Sequence, residues 1–289
     1  MLKRNLTAAI LIVISLFFLL FLRTFYVELA DILFFAFMII GAVEMVRVGK
    51  QSGFSPMILP VIVFGVTIYP LFFFFGATGI LLTLVISVLV ALSCFLFKRD
   101  VLKTEDFLFT LLILIYPMLL CSVFFCVNHH EAGLWGILYI LLVTLLSDAF
   151  ALFAGALFGK KKLIEDVSPK KTVAGAIGAY VGGLLGATII LLLFDVFGIF
   201  KNFGNVGIIR LFDCYGYAIP ITFVLAIICS SLAIIGDLVA SLLKRKMKVK
   251  DFGFILPGHG GVMDRLDSLL FVAPVVWLFL TVYSGVMSI

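Results

Sequence analysis

Apolar runs of about 20 residues alternate along the chain with short polar breaks. A run of that length matches the roughly 20 helical residues needed to cross a bilayer's hydrocarbon core. Nine runs are found, over 5–22, 28–46, 56–75, 77–97, 107–127, 133–157, 173–196, 217–243 and 266–287. The pattern predicts an all-α, polytopic membrane protein with about nine transmembrane helices. Residues 1–106 form an N-terminal group of spans, and residues 107–289 form a C-terminal group that carries the polar chemistry. The first run follows Lys3 and Arg4 as a signal peptide would. With no small-x-small cleavage site after it and further spans beyond, it reads as a first transmembrane helix.

Composition agrees. Of 289 residues, 64% are hydrophobic and 13% charged, whereas a soluble domain is about half apolar and about a quarter charged. The net charge of +5 matters less than its distribution. With the N-terminus on the cytoplasmic side, the inner segments hold Lys3, Arg4, Arg47, Lys50, Lys98, Arg99 and Lys103, then Lys160–Lys162, Lys170 and Lys171. They also hold Lys244, Arg245, Lys246, Lys248, Lys250 and Arg265, and only Arg23, Lys201 and Arg210 of the 21 basic residues fall outside. The positive-inside rule favours that orientation and an odd number of spans. Cys94, Cys121, Cys126, Cys214 and Cys229 form no CxxC pair and lie in or beside apolar runs, as small buried hydrophobes do.

The first four spans offer little chemistry. Glu28, Asp31 and Glu44 read as side chains snorkelling to the interface. His129 and His130 form an outer turn, and adjacent histidines there read as solvated. In the sixth run, Ser147 and Asp148 sit about two turns from its inner end. A carboxylate at that depth faces a polar cavity or a partner, so a functional role and a structural interhelix hydrogen bond both stand. The inner segment 159–172 is basic, and Ser168-Pro169-Lys170-Lys171-Thr172 leads into a helix. Ser168 suits the cap and Pro169 the first turn, and a helix start with free N–H groups suits phosphate. The Gly155-to-Lys161 stretch resembles a P-loop but has three residues between its glycines and no Ser or Thr after the Lys, so it is rejected. Gly178, Gly182 and Gly186 repeat at the spacing that lets helix backbones pack closely.

The polar chemistry concentrates in 241–267. Between Lys244 and Asp267 lie six Lys or Arg, three Asp, one His and four Gly. Asp237, Ser241 and Lys244 fall on one helix face, with Asp237 deeper and Lys244 nearer water. Glycines around Pro257 and His259 permit a tight loop whose backbone N–H groups could meet anionic oxygens. Asp264 and Asp267 share a face once the last helix has begun. Carboxylates, cations and a glycine loop together suit metal-assisted nucleotidyl or phosphoryl transfer. A basic patch that binds anionic lipid accounts for the lysines but not for the aspartates, glycines and histidine beside them.

At these residues the chain resembles the phosphatidate cytidylyltransferases, also called CDP-diacylglycerol synthases. The family's pattern is met without departure at Ser241, Lys244, Arg245, Lys250, Asp251, Gly253, Pro257, Gly258, His259, Gly260, Gly261, Asp264, Arg265 and Asp267, 14 positions in 27 residues. Ser147-Asp148 and the Ser-Pro-Lys-Lys-Thr stretch also resemble the family's. The resemblance implies the reaction of CTP with phosphatidate to give CDP-diacylglycerol and diphosphate, with Mg²⁺ required and room for a second, monovalent cation such as K⁺. It implies metal ligation by Asp237, Asp264 and Asp267, with Lys250 also catalytic. It further implies substrate contacts from Ser241, Lys244, Arg245, His259, Gly260, Gly261, Arg265, Asp148, Ser168, Lys170 and Lys171. A homodimer in the plasma membrane of a bacterium, with its site facing the cytoplasm, is expected, among membrane lipids and with no nucleic-acid partner.

Three other classes compete, and one of them, a purely structural membrane role, leaves the glycine-rich segment unexplained. A transporter or flippase for an anionic lipid or phosphate compound also buries carboxylates, but here the charges cluster at one face. A CDP-alcohol phosphotransferase needs an Asp-Gly-x-x-Ala-Arg start, which neither Asp148-Ala149 nor Asp237-Leu238 provides.

Overall fold

The computed structural model describes residues 17–164, 167–200, 215–253 and 260–287. Helix dominates, as lipid requires: a helix pairs its backbone N–H and C=O groups within its own segment, where hydrocarbon offers no water to do so. The helices are α1 (Val27–Gln51), α2 (Ile58–Phe75), α3 (Ala77–Phe97), α4 (Thr104–Asn128), α5 (Gly133–Phe158), α6 (Val173–Val196), α7 (Tyr215–Lys246) and α8 (Met263–Met287). Each contains a stretch long and apolar enough to cross a membrane. They overlie the sequence runs from 28–46 onward. Of the run 5–22, only the end is described, as π-helical turns over Phe17–Leu22. The chain is thus an all-α polytopic integral membrane protein. Phe73, Phe74, Phe97, Leu152, Phe153 and Phe158, which are 65–83% exposed, fit a lipid surround.

Among the described residues regular α-helix is interrupted at several places, one of them the π-helical end of α6 at Leu192–Val196. Inside α4, Leu114–Leu119 is π-helical around Pro117, whose missing N–H breaks the ordinary ladder. Before α6, β1 (Lys162–Ile164) pairs antiparallel with β2 (Ser168–Thr172), Lys162 opposite Thr172 and Ile164 opposite Ser168.

The chain forms two compact units, Met1–Cys126 with Lys244–Leu266, and Val127–Leu243 with Asp267–Ile289. In the first, Gly76 takes φ +59° to turn α2 into α3. Phe34 stacks on Phe124 with centroids 5.1 Å apart. Asp106 fastens the start of α4, accepting the N–H groups of Lys103 at 2.9 Å and Ser55 at 2.6 Å. Asp31 does not snorkel as expected. It is 1% exposed and accepts the Tyr69 hydroxyl at 3.3 Å, because an interior partner satisfies a carboxylate that lipid cannot.

In the second unit, α6 lies close on α5. A Cβ on Gly178 would come within 2.6 Å of the Phe150 carbonyl oxygen, and one on Gly186 within 2.9 Å of Val143 Cα. In lipid such close van der Waals packing takes the place of the hydrophobic effect. Ser147 is buried and hydrogen-bonds the Ala179 carbonyl and the Ser230 hydroxyl, both at 2.9 Å, so its role here is the interhelix bond. Cys121, Cys126 and Cys229 are buried free thiols, and Cys94 is a half-buried one.

Candidate active site

Lys244 lies in the last turn of α7 and Asp264 in the first turn of α8. Lys244 Nζ is 2.8 Å from Asp264 Oδ1, with the two side chains 17% and 6% exposed. Asp264 Oδ2 accepts two backbone N–H groups, from Phe252 at 2.8 Å and Gly261 at 3.0 Å. Three donors thus hold one buried carboxylate in a single orientation, each strengthened by its charge. Gly260 takes φ +82°, and a Cβ there would also stand 3.0 Å from Asp264 Oδ2. The left-handed backbone favours glycine there, and a Cβ would press on an oxygen that two amides already hold. The Lys244 ammonium lies 5.4 Å from the centroid of the buried Phe252 ring, a cation–π contact.

Glu44, which sequence reasoning placed at the interface, is instead 3% exposed in this unit. Its carboxylate accepts the N–H groups of Val262 at 3.0 Å and Met263 at 2.9 Å. Those are free amides at the start of α8, where the helix dipole also favours an anion. Just past the end of α1, the Ser52 hydroxyl donates to the Met247 carbonyl at 2.9 Å.

In the second unit, Lys171 Nζ is 2.8 Å from Asp237 Oδ2 and donates to the Ile234 carbonyl at 3.4 Å. Ser241 donates to Asp237 Oδ1 at 3.5 Å, one helical turn on. The hairpin makes the lysine contact available, because alternate strand residues point to opposite faces: Lys170 is exposed while Lys171 is half-buried. Asp148, at the chain's surface, interacts electrostatically with Asp237 and Lys171. Gly236 gives α7 and α8 their close approach, since a Cβ there would lie 2.6 Å from the Asp267 carbonyl oxygen. Asp267 is 8% exposed and its Oδ1 accepts the Ser268 N–H at 2.8 Å.

The expected helix cap at Ser168 is not found. The residue before a proline is driven toward extended backbone, and Ser168 pairs with Ile164 in the hairpin. The cap is Thr172, whose hydroxyl accepts the Gly175 N–H at 3.1 Å. Arg245, Lys250 and Arg265 are exposed. His259, with Pro257 and Gly258, lies outside the described residues. Sequence reasoning missed Glu44 and Ser52 as structural supports in the first unit, and Thr172 and Gly236 in the second. A carboxylate in an apolar helix was the available sign for Glu44.

Comparison with known proteins places this geometry in context. A family model described as the cytidylyltransferase family matches residues 2–283. The chain belongs to the cytidylyltransferase family. A Bacillus subtilis protein named phosphatidate cytidylyltransferase is 38% identical over 157 residues, 54% of this chain and 51% of the relative. A Mycobacterium bovis protein of the same name is 31% identical over 251 residues, 82% of this chain and 76% of the relative. A third, from Thermotoga maritima, is 35% identical over 173 residues, 60% of this chain and 58% of the relative. The match thus spans about half the length of the Bacillus relative and about three quarters of the Mycobacterium one.

Proposed function

We propose that the chain is a phosphatidate cytidylyltransferase, joining CTP and phosphatidate into CDP-diacylglycerol with release of diphosphate. The observation that carries the reading is Asp264, held by Lys244 and by the Phe252 and Gly261 amides, in a segment that meets the family's pattern throughout. Family membership and the names of the relatives support it.

Phosphatidate approaches from the inner leaflet with its acyl chains still in lipid. One of its phosphate oxygens attacks the α-phosphorus of CTP. The new P–O bond forms as the α–β phosphoanhydride bond breaks, and diphosphate leaves with the electron pair. The nucleophile is already an anion, so the chain supplies no strong base. Its task is to gather and orient several negative charges. Lys244, Lys250, Arg245 and Arg265 supply cations, the arginines with a two-pronged fork that fits phosphate. Lys170 and Lys171 add charge from the hairpin. Ser241, His259, Gly260 and Gly261 make the remaining substrate contacts, His259 orienting a phosphate or the loop.

The donors suit Mg²⁺. Three hydrogen bonds leave Asp264 one of its roughly four lone-pair directions. Among the described residues no three His, Cys, Asp or Glu side chains are gathered as a metal cage. Mg²⁺ does not need one, since it commonly takes only one or two carboxylates and completes its shell with water and substrate phosphate. Asp237, Asp264 and Asp267 are the carboxylates that the family resemblance assigns to it, with K⁺ as a second cation. When bound, the ion supplies positive charge to the phosphates undergoing transfer. The enzyme works as a homodimer in a bacterial plasma membrane, with nine spans and its site facing the cytoplasm.

The test is diphosphate release by the purified chain in detergent with CTP, phosphatidate and Mg²⁺, each omitted in turn. Release that needs all three and vanishes in Asp264→Ala is expected. No release under these conditions, or lipid flux in vesicles without CTP, would overturn the reading in favour of a transporter.

A further inference from the structure

We propose that Glu44 is a positioning residue for Asp264, acting through the first turn of α8 without touching substrate. The inference rests on the cytidylyltransferase reading and adds to it a residue far outside the motif. Three consecutive amides precede Asp264, and two carboxylates take all three. The Gly261 N–H goes to Asp264 itself, and the Val262 and Met263 N–H groups go to Glu44. The direction of the Asp264 carboxylate is therefore set jointly by Lys244, by Phe252 and by the peptide units that Glu44 holds.

The packing around Glu44 points the same way. A Cβ on Gly253 would collide with Glu44 Oε1, and a Cβ on Gly261 with both of its carboxylate oxygens. Gly253 and Gly261 stand before and after residues 254–259 of the motif, so the described residues on either side of that stretch both meet one side chain of α1. Ser52, the residue that caps the C-terminal end of α1, holds the Met247 carbonyl. The helix and its C-cap thus grip the motif at Met247, Gly253 and Gly261–Met263.

Burying a carboxylate this deeply is costly unless it is hydrogen-bonded, and here both oxygens are. The chemistry also selects a carboxylate over its amide. Two backbone donors face Glu44, and an ionised carboxylate is acceptor-only, whereas glutamine would turn an NH₂ group toward one of them.

The experiment compares the full chain with Glu44→Gln and Glu44→Asp, purified in detergent. Amide hydrogen exchange over residues 260–268 is read alongside the kinetics of CTP- and phosphatidate-dependent diphosphate release. For Glu44→Gln, faster exchange in 260–268 with unchanged exchange in α2 and α3 is expected. With it, kcat should fall about 10- to 100-fold, the range for losing a group that orients a site ligand, while KM for phosphatidate stays unchanged. Faster local exchange with wild-type kcat would make Glu44 purely structural and overturn the proposal, as would unchanged exchange. Should Glu44→Gln fail to fold, Glu44→Asp decides, because it keeps the charge but is too short to reach both amides. Wild-type turnover there overturns the proposal, and a reduced kcat with faster local exchange upholds it. If the wild-type chain releases no diphosphate, the cytidylyltransferase reading fails alone, and the exchange comparison still decides whether Glu44 holds α8.

Discussion

Each of the two units holds one lysine–carboxylate pair, and the pairs differ in burial, which sets a comparison. Both have a nitrogen–oxygen distance of 2.8 Å. Lys244 and Asp264 are 17% and 6% exposed, and Lys171 and Asp237 are 22% and 38% exposed. Replacing Lys244 with Met keeps an apolar stem of similar length and removes the charge. Asp264 then retains the Phe252 and Gly261 amides but faces no cation among the described residues. Removing one partner of a fully buried pair costs about 3–5 kcal/mol. The surviving amide bonds and the partial exposure of Lys244 bring that down to about 2–3 kcal/mol, near the worth of a hydrogen bond to a charged group. That is a factor of about 30 or more in the folded-to-unfolded ratio. Replacing Lys171 with Met frees a carboxylate more than a third exposed, where an ion pair contributes about 0–1 kcal/mol. Protease resistance across a denaturant series in detergent would measure both variants. Lys244→Met should shift the midpoint clearly further than Lys171→Met. Equal shifts, or the reverse order, would refute the claim that burial of Asp264 makes its lysine the stronger anchor.

Three other outcomes are expected. Gly236→Ala should destabilise by about 1–3 kcal/mol through overpacking, because the new Cβ meets the Asp267 carbonyl oxygen at 2.6 Å and the Phe271 ring at 3.0 Å. Turnover should fall with it, and wild-type turnover would count against a tight α7–α8 approach. Thr172→Val should cost about 1 kcal/mol by removing the α6 cap while Thr172→Ser stays near wild type, which the same denaturant series would measure. Burial lowers the pKa of His130 below its ordinary value, with Glu131 and a backbone bond to Leu280 opposing, and its Nδ1 accepts the Ala132 N–H at 3.1 Å. A histidine held neutral in the fold binds fewer protons there than in the unfolded chain, so stability is lost as pH falls below about 6.5. His130→Gln should flatten that acid limb of a pH–stability profile, and an unchanged limb would place its origin elsewhere.

Much of the architecture was legible because lipid imposes a coarse rule: an apolar run of sufficient length becomes a helix. The described helices therefore follow the hydropathy runs from α1 onward. The motif was legible because its residues are close in sequence, but the ion pair of Lys244 with Asp264 was not, since the sequence reading gave the carboxylate to a metal and the lysine to phosphate. Glu44 was not, because it stands 218 residues from Val262 and only tertiary packing brings them together. Hydropathy treats it as one polar residue near a helix end, which is how a snorkelling carboxylate also looks. Asp31 was misread for the same reason. The hairpin escaped because Ser168-Pro169 reads equally as the start of a helix. Pairing with Lys162–Ile164 moves that start to Val173. Gly236 carried no sign at all, since its value lies in the backbone of α8 that approaches it.

The most direct test of the central claim follows the phosphorus atoms of CTP. Purified chain in phosphatidate-containing vesicles with Mg²⁺ would receive CTP labelled at either the α- or the γ-phosphorus. The account requires α-label in the lipid fraction and γ-label in free diphosphate, in equal amounts, with neither in Asp264→Ala. Label that stays in CTP, or γ-label released as single phosphate with none in lipid, would contradict cytidylyl transfer.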